Sequence, residues 1–407
     1  MLSNEASVVM EPIPQSESRV SRPRVVIFLD YMWPTRARIF RVIAESVGDL
    51  RIVCSMLLGK DRRWETGFDG LSVHIQRAVH WQSRWRYFVG VAESSSISFP
   101  IDSVPLLFGL KPDVVISSQL GFRSLSAAVY RLMKKKSRLV LWLQMAEHQQ
   151  KGHRPIRWAL RRLLLAIADH IITNGPSCTE CILKYNYPSK QITEIYTVCD
   201  LEPFQAIPRR SIEWEGLKRL IYVGRLVEVK GLLPFLKVLD SVVSAIPDIE
   251  VEFSIVGYGP LEEKLQNWKV NCERVRIRMI GFVDTIAHPE IYRQGDVFVF
   301  PTLSDEWGLV VNEAMAAGLP VFGSIYSQAV ECLVRDGING LTFTPLSDDV
   351  APKLKNLLML DERRIRELGD NARAGISHLT PEYGANRFLE VITACGSTRP
   401  KQRTTGD

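Results

Sequence analysis

No run of apolar residues in this chain approaches the ~18 that a membrane-spanning helix needs, and no internal repeat or long low-complexity tract is evident. Cysteine is sparse, with seven residues at 54, 178, 181, 199, 272, 332 and 395. An odd, scattered set argues for reduced thiols and a cytoplasmic setting rather than a disulfide-stapled secreted domain. Only Cys178-Thr-Glu-Cys181 is closely spaced, and it lacks the second ligand pair that a zinc site would need. The first 22 residues are polar and include Glu5, Glu11 and Glu17. They lack the apolar core of a secretory signal and read as a disordered tail, as do residues 396–407. No Gly-x-Gly-x-x-Gly opens the chain, which speaks against a nicotinamide dehydrogenase. No nucleic-acid-binding module is recognisable, so nucleic acid is not an expected partner.

What is present is length for two cores: 407 residues, against the ~250–300 at which a single core stops growing. Charge divides unevenly. Residues 1–200 hold 27 Lys+Arg against 17 Asp+Glu, whereas residues 201–407 hold 24 against 28. A basic first half beside a mildly acidic second half suggests that the first half meets something anionic. Apolar strand-like segments at 24–29, 50–57, 73–76, 114–117, 139–144 and 170–173 alternate with helical stretches, and the pattern resumes at Leu220. Such alternation predicts an α/β chain with doubly wound parallel sheets. A boundary is expected near 202–216, which carries Pro203 and Pro208. Asn339-Gly340, between β-formers, reads as a hairpin turn.

Chemistry concentrates in the second half. Thr302 to Val321 holds two carboxylates eight positions apart, Asp305 in a polar turn and Glu313 in a short helix. That helix starts near Gly308 and stops at Gly318, with Pro320 beyond. It follows the apolar strand 296–300, so its free amides at Gly308, Leu309 and Val310 would face a crevice at the carboxyl end of a sheet, where phosphate is favoured. Asp305 as a helix cap and Glu313 as a solvated helix face are the plainer alternatives. Upstream, Leu220 to Leu226 reads as a strand ending in Gly224-Arg225, followed by Lys230-Gly231. A guanidinium fork and an ammonium leaving one strand end suit a pyrophosphate, although either could be a surface cation. Val251 to Pro260 runs a strand into Gly257-Tyr-Gly259, where a ligand can approach the backbone closely. Arg278 to Val283 carries Phe282.

Taken in order, these elements resemble the retaining nucleotide-sugar glycosyltransferases of family 4, the group 1 transferases with the GT-B fold. The resemblance implies two Rossmann-like domains facing a central cleft: a disordered tail at 1–22, an acceptor domain at 23–205, a donor domain at 206–380, a helix at 381–395 crossing back to the first domain, and a tail at 396–407. It implies that Arg225 and Lys230 neutralise the leaving diphosphate and that Asp305 holds the transferred sugar, with Glu306 as the neighbour able to share that role. Glu313 would accept from ribose hydroxyls, and Gly224, Gly257, Gly259 and Phe282 would lie around the nucleotide. The family most often has Glu where this chain has Asp305. No Asp-x-Asp occurs, so no metal or other cofactor is expected.

The acceptor side carries fewer signals. Arg36 and Arg38, after the first strand, are placed to hold an acceptor phosphate or to be solvated cations. The segment 146–153 offers His148, with Glu147 and His153 behind it, where the family carries a functional histidine near the reacting sugar. The helix 154–167 pairs an apolar stripe of Ile156, Leu160, Leu163, Leu164 and Ile167 with a face of Arg154, Trp158, Arg161, Arg162 and Leu165. With Lys134-Lys-Lys136, that face suits an anionic membrane surface or a lipid-phosphate acceptor, and equally a solvated basic surface. The expected partners are a nucleotide-sugar donor and a glycan or lipid-linked acceptor. A catalytically silent nucleotide-sugar-binding subunit and a nucleotide-sugar epimerase stay open as alternatives.

Overall fold

Continuous apolar strands covered on both faces fix the first half of the molecule. The computed structural model describes residues 22–56, 68, 70–87, 89–145, 155–208, 214, 216–283 and 288–397. Its strands, in chain order, are β1 (Arg24–Leu29), β2 (Asp49–Cys54), β3 (Val73–Ile75), β4 (Ala78–Arg86), β5 (Ala92–Pro100), β6 (Val114–Ser118), β7 (Arg138–Leu143), β8 (His170–Thr173) and β9 (Ile192–Glu194). Seven of them form one parallel sheet in the order β3-β2-β1-β6-β7-β8-β9. Because successive side chains alternate, Val25, Ile27 and Leu29 pack into one core and Val26 and Phe28 into another. The first core lies under the helix Pro34–Ser46. The second lies under helices Ser103–Leu110, Phe122–Met133 and Pro155–Ile167.

The second half repeats the plan with β10 (Leu217–Val223), β11 (Glu250–Val256), β12 (Val275–Gly281), β13 (Val297–Phe300), β14 (Val321–Ser324) and β15 (Gly340–Phe343). Their order is β12-β11-β10-β13-β14-β15, all parallel. In each sheet the order reverses beside a central pair, β1 with β6 and β10 with β13. A crevice opens at the carboxyl ends of such a pair. The last helix, Pro381–Ser397, lies against Pro34–Ser46 of the first domain, with Phe388 edge-on to Trp142 at 4.8 Å.

Four expectations change. The strands β4 and β5 form an antiparallel hairpin outside both sheets, which the sequence pattern did not announce. Asn339-Gly340 is not a hairpin turn, since β15 runs parallel to β14. The Asn339 carboxamide instead folds the preceding turn, accepting from the Arg335 amide at 2.7 Å and donating to the Leu333 carbonyl at 3.0 Å. In the helix Pro155–Ile167 the buried stripe is rotated, with Leu165 at 2% exposure and Leu163 at 52%. Arg38 is not free for a phosphate. It pairs with Asp200 at 2.9 Å and with Glu382 at 3.0 Å, joining the first helix, the interdomain segment and the last helix. The two tails, at 1–21 and 398–407, lie outside the described residues, as do Glu147, His148 and His153.

One partly buried carboxylate anchors the first sheet. Asp169 accepts from Arg131 at 2.6 and 2.9 Å, from Arg138 at 2.9 Å and from the Leu139 amide at 2.9 Å. Burial alone would raise its pKa, but these donors outweigh it and the net shift is downward. A folded-state pKa below the unfolded one contributes stability above the unfolded value, which is lost as pH falls through the folded one. Asp169→Asn is therefore expected to cost about 2–4 kcal/mol at pH 7. In urea titrations the gap from wild type should close as pH drops below about 4.

Candidate functional site

Each expected diphosphate-binding residue follows a strand of the second sheet's central pair. The turn after β10 is held by Tyr222, whose hydroxyl donates to the Arg225 carbonyl at 2.9 Å. It is also packed against the neighbouring glycine turn. A Cβ on Gly257, at φ +138°, would lie 1.8 Å from the Gly224 carbonyl oxygen. Glycine there lets two strand-end turns stack and leaves their backbone open to a ligand. Beside them, Phe282 is 46% exposed and meets Tyr258 edge-on at 5.3 Å. This edge-to-face pair leaves the Phe282 ring exposed at the end of β12.

Lys230 ends a short turn after β10, and Asp305 follows β13. Their side chains form an ion pair. Lys230 is only 8% exposed and its ammonium also sits 5.4 Å from the centre of the Phe300 ring. Burying a lysine requires such a partner. Asp305 is set by its backbone, whose amide donates to the Tyr326 carbonyl at 2.9 Å, while its Oδ1 accepts weakly from the Trp307 amide at 3.4 Å. Gly308, at φ +101°, then turns the chain into the helix Leu309–Ala316. A Cβ at Gly308 would meet the Phe300 ring at 2.8 Å. First-turn amides have no intrahelical acceptor, so those of Leu309 and Val310 leave the same turn that carries Asp305.

The two adjacent acids part company. Asp305 faces Lys230. The Glu306 carboxylate bears instead on Arg36 and Tyr87 of the first domain, and its backbone carbonyl accepts from Asn174 at 2.6 Å. Glu313 is 7% exposed and accepts from the Tyr292 hydroxyl at 2.6 Å. Burial first, then the Glu313 charge, pushes that phenol well above its ordinary value, which keeps it a donor. Two further contacts tie this segment to its surroundings. Trp307 donates to Asn312 at 2.8 Å, and Asn312 donates to the carbonyl of Thr197 in the interdomain segment at 3.2 Å. Gln328 donates to the Met145 carbonyl at 2.9 Å.

Across the cleft, Asp30 follows β1 and pairs with Arg123 at 2.5 Å, spanning the first sheet's own central pair. Arg36 stacks over Trp142 at 4.5 Å, near Trp33 at 5.8 Å. Burial pushes its guanidinium down to about 10, against Tyr31 and Glu306, so it stays cationic at neutral pH. From the hairpin, Glu93 reaches Arg225 at 3.6 Å. Asp30, Arg123, Asn174, Tyr87 and Glu93 were not singled out from sequence. Asp30 was the most accessible of them, as the first residue after the first strand. A separate cavity of about 390 Å³, lined by Arg219, Glu252, Arg278, Glu290, Arg293 and Gln294, lies along the strands rather than at their carboxyl ends. Its three arginines face Asp296, Glu252 and Glu290 at 3.7, 3.0 and 3.2 Å, so it offers an anion little net charge.

The architecture is the GT-B fold. HepE of Anabaena in complex with UDP superposes with a TM-score of 0.66 at 15% identity, over 91% of this chain and 100% of that one. The lipopolysaccharide outer core galactosyltransferase WaaB gives 0.67 at 15% identity, over 91% and 99%. Residues 217–359, the second domain from β10 onward, match the family described as glycosyl transferases group 1. Over 155 residues the chain is 34% identical to the sulfoquinovosyl transferase of Arabidopsis thaliana, covering 37% of this chain and 28% of the relative. Over 161 residues it is 34% identical to the phosphatidyl-myo-inositol mannosyltransferase of Mycobacterium leprae, covering 39% and 41%. The chain thus spans well under two thirds of the length of either relative.

Gly257→Ala tests the stacked turns. It is expected to cost about 2–4 kcal/mol in chemical unfolding.

Proposed function

We propose that this protein is a glycosyltransferase that moves a sugar from a nucleoside-diphosphate sugar to a glycan or lipid-linked acceptor, with retention at the anomeric carbon and without a metal. The observation that carries the reading is the clustering of Arg225, Lys230, Asp305 and the Leu309–Val310 amides at the carboxyl ends of β10 and β13. As the glycosidic bond to the diphosphate breaks, negative charge develops on the leaving phosphate. Arg225, Lys230 and the helix amides stabilise it where it forms. Two fixed cations serve the role that a divalent ion serves elsewhere. Asp305 accepts from sugar hydroxyls once Lys230 turns to the phosphate. The similarity of residues 217–359 to group 1 transferases supports the same reading.

The acceptor is proposed to lie against the first domain, near Asp30 and Arg36, and the enzyme to work at a membrane surface. Trp158, Arg162 and Leu163 are all exposed on one helix, and Lys134, Lys135 and Lys136, which follow the neighbouring helix Phe122–Met133, are exposed as well. No helix among the described residues is long and apolar enough to cross a membrane, so contact would be peripheral. The full chain is expected to sediment with vesicles containing one third phosphatidylglycerol and not with pure phosphatidylcholine. Replacing Lys134, Lys135 and Lys136 together by Ala should abolish that binding.

The enzymatic claim is tested by nucleotide release from a panel of nucleotide-sugars with acceptor extract. Wild type should turn over one donor, and Lys230→Ala should be slower by about 10²–10³-fold. Asp305→Ala should lose activity more severely than Glu306→Ala, and the reverse order would put the sugar contact at Glu306. Binding without release under every acceptor condition would reduce the protein to a silent nucleotide-sugar-binding subunit.

A further inference from the structure

The hairpin of β4 and β5 belongs to neither sheet, yet it carries a carboxylate to the heart of the cleft. Its strands pair without a break from Ala78↔Pro100 to Arg86↔Ala92. A tight turn closes it, with the Tyr87 amide donating to the Val91 carbonyl at 2.8 Å. Its base is fixed: Asp102 accepts from the Arg77 amide at 2.9 Å, and Phe99 packs on Phe122 at 4.2 Å. Near the tip, the Tyr87 hydroxyl donates to Glu93 Oε2 at 2.9 Å. The other oxygen, Oε1, is buried without any hydrogen-bond donor and faces Arg225 Nη1 at 3.6 Å.

This arrangement gives each of the two cations a carboxylate partner. Lys230 is paired with Asp305 from its own domain, and Arg225 with Glu93 from the other. Burial pulls the Arg225 guanidinium down, Glu93 and then Asp305 more than offset it, and the net shift is upward. The Glu93 contact is the looser of the two: it is too long for a hydrogen bond, and the Arg225 side chain keeps 34% exposure. A diphosphate arriving at Arg225 would meet a desolvated carboxylate of like charge, at a separation where such repulsion is strong.

We propose that Glu93 is the exchangeable counter-ion of Arg225: it occupies the guanidinium while the cleft is empty, yields to an incoming diphosphate, and returns as the spent nucleotide leaves. The inference rests on reading Arg225 as a diphosphate ligand. Glu93 therefore weakens nucleotide binding by design, and the hairpin couples that exchange to the first domain. Tyr87 acts through Glu93, holding its carboxylate in place.

Calorimetric titration of the full chain with UDP, ADP and GDP tests this. Glu93→Gln should bind the preferred diphosphate about tenfold more tightly than wild type. In turnover, the donor KM and kcat should both fall, because product leaves more slowly. Tyr87→Phe, which keeps the carboxylate but frees it, should shift affinity the same way by less. In an Arg225→Ala background the Glu93→Gln gain should vanish. Equal or weaker binding by Glu93→Gln overturns the proposal, as does an undiminished gain without Arg225. If wild type binds none of the three diphosphates, the reading of Arg225 itself falls and the proposal falls with it.

Discussion

The ion pair between Lys230 and Asp305 joins residues 75 positions apart at the ends of adjacent strands, and the second domain's chemistry is organised around it. A buried ammonium demands a partner, and the partner here is the acid proposed to contact the sugar. Neither residue reaches its place alone. Lys230 is delivered by a glycine-ended turn that packs against Pro301, and Asp305 by a loop that Ser327, Tyr326 and Asn174 hold through its backbone. The pair is thus built on the ends of two adjacent strands.

The cleft's two walls share one logic. Each sheet reverses strand order beside its central pair, and each places an acid in the loop after a strand of that pair, Asp30 after β1 and Asp305 after β13. Each acid is met by a buried cation, Arg123 in one case and Lys230 in the other. Among the described residues, polar contacts between the walls include Asn174 to Glu306, Ser177 to Glu331, Gln328 to Met145, Asn312 to Thr197 and Glu93 to Arg225. Such contacts suit domains that open and close around a substrate. The Arg38 bridge to Asp200 and Glu382 ties the first helix, the segment after β9 and the last helix to one another.

The strand-end segments of the second domain were legible in the sequence because their signals are local. Gly224-Arg225, Lys230, the Gly257 turn and the Asp305–Gly308 loop each sit within a few residues of a strand end, and strand ends are visible in apolar runs. What the sequence hid depends on tertiary contact. The strand β5 carries Ser94-Ser95-Ser96 and alternates only over Ser96-Ile97-Ser98-Phe99, too short a signal to announce the hairpin, so it and Glu93 went unseen. Arg38 looked like a ligand cation because its two acids lie at positions 200 and 382. In the helix Pro155–Ile167, leucines on both faces left the burial direction to its neighbours, and the structure buries Leu165 rather than Leu163.

The most direct measurement is a thermal-denaturation screen of the full chain against nucleoside-diphosphate sugars. A ligand held at about 100 times its Kd adds roughly 2.7 kcal/mol to the folded state. The account predicts that one nucleotide class raises Tm by several degrees in wild type, and that the shift is lost in Arg225→Ala. No shift with any nucleotide-sugar, or a shift that survives without Arg225, would contradict it.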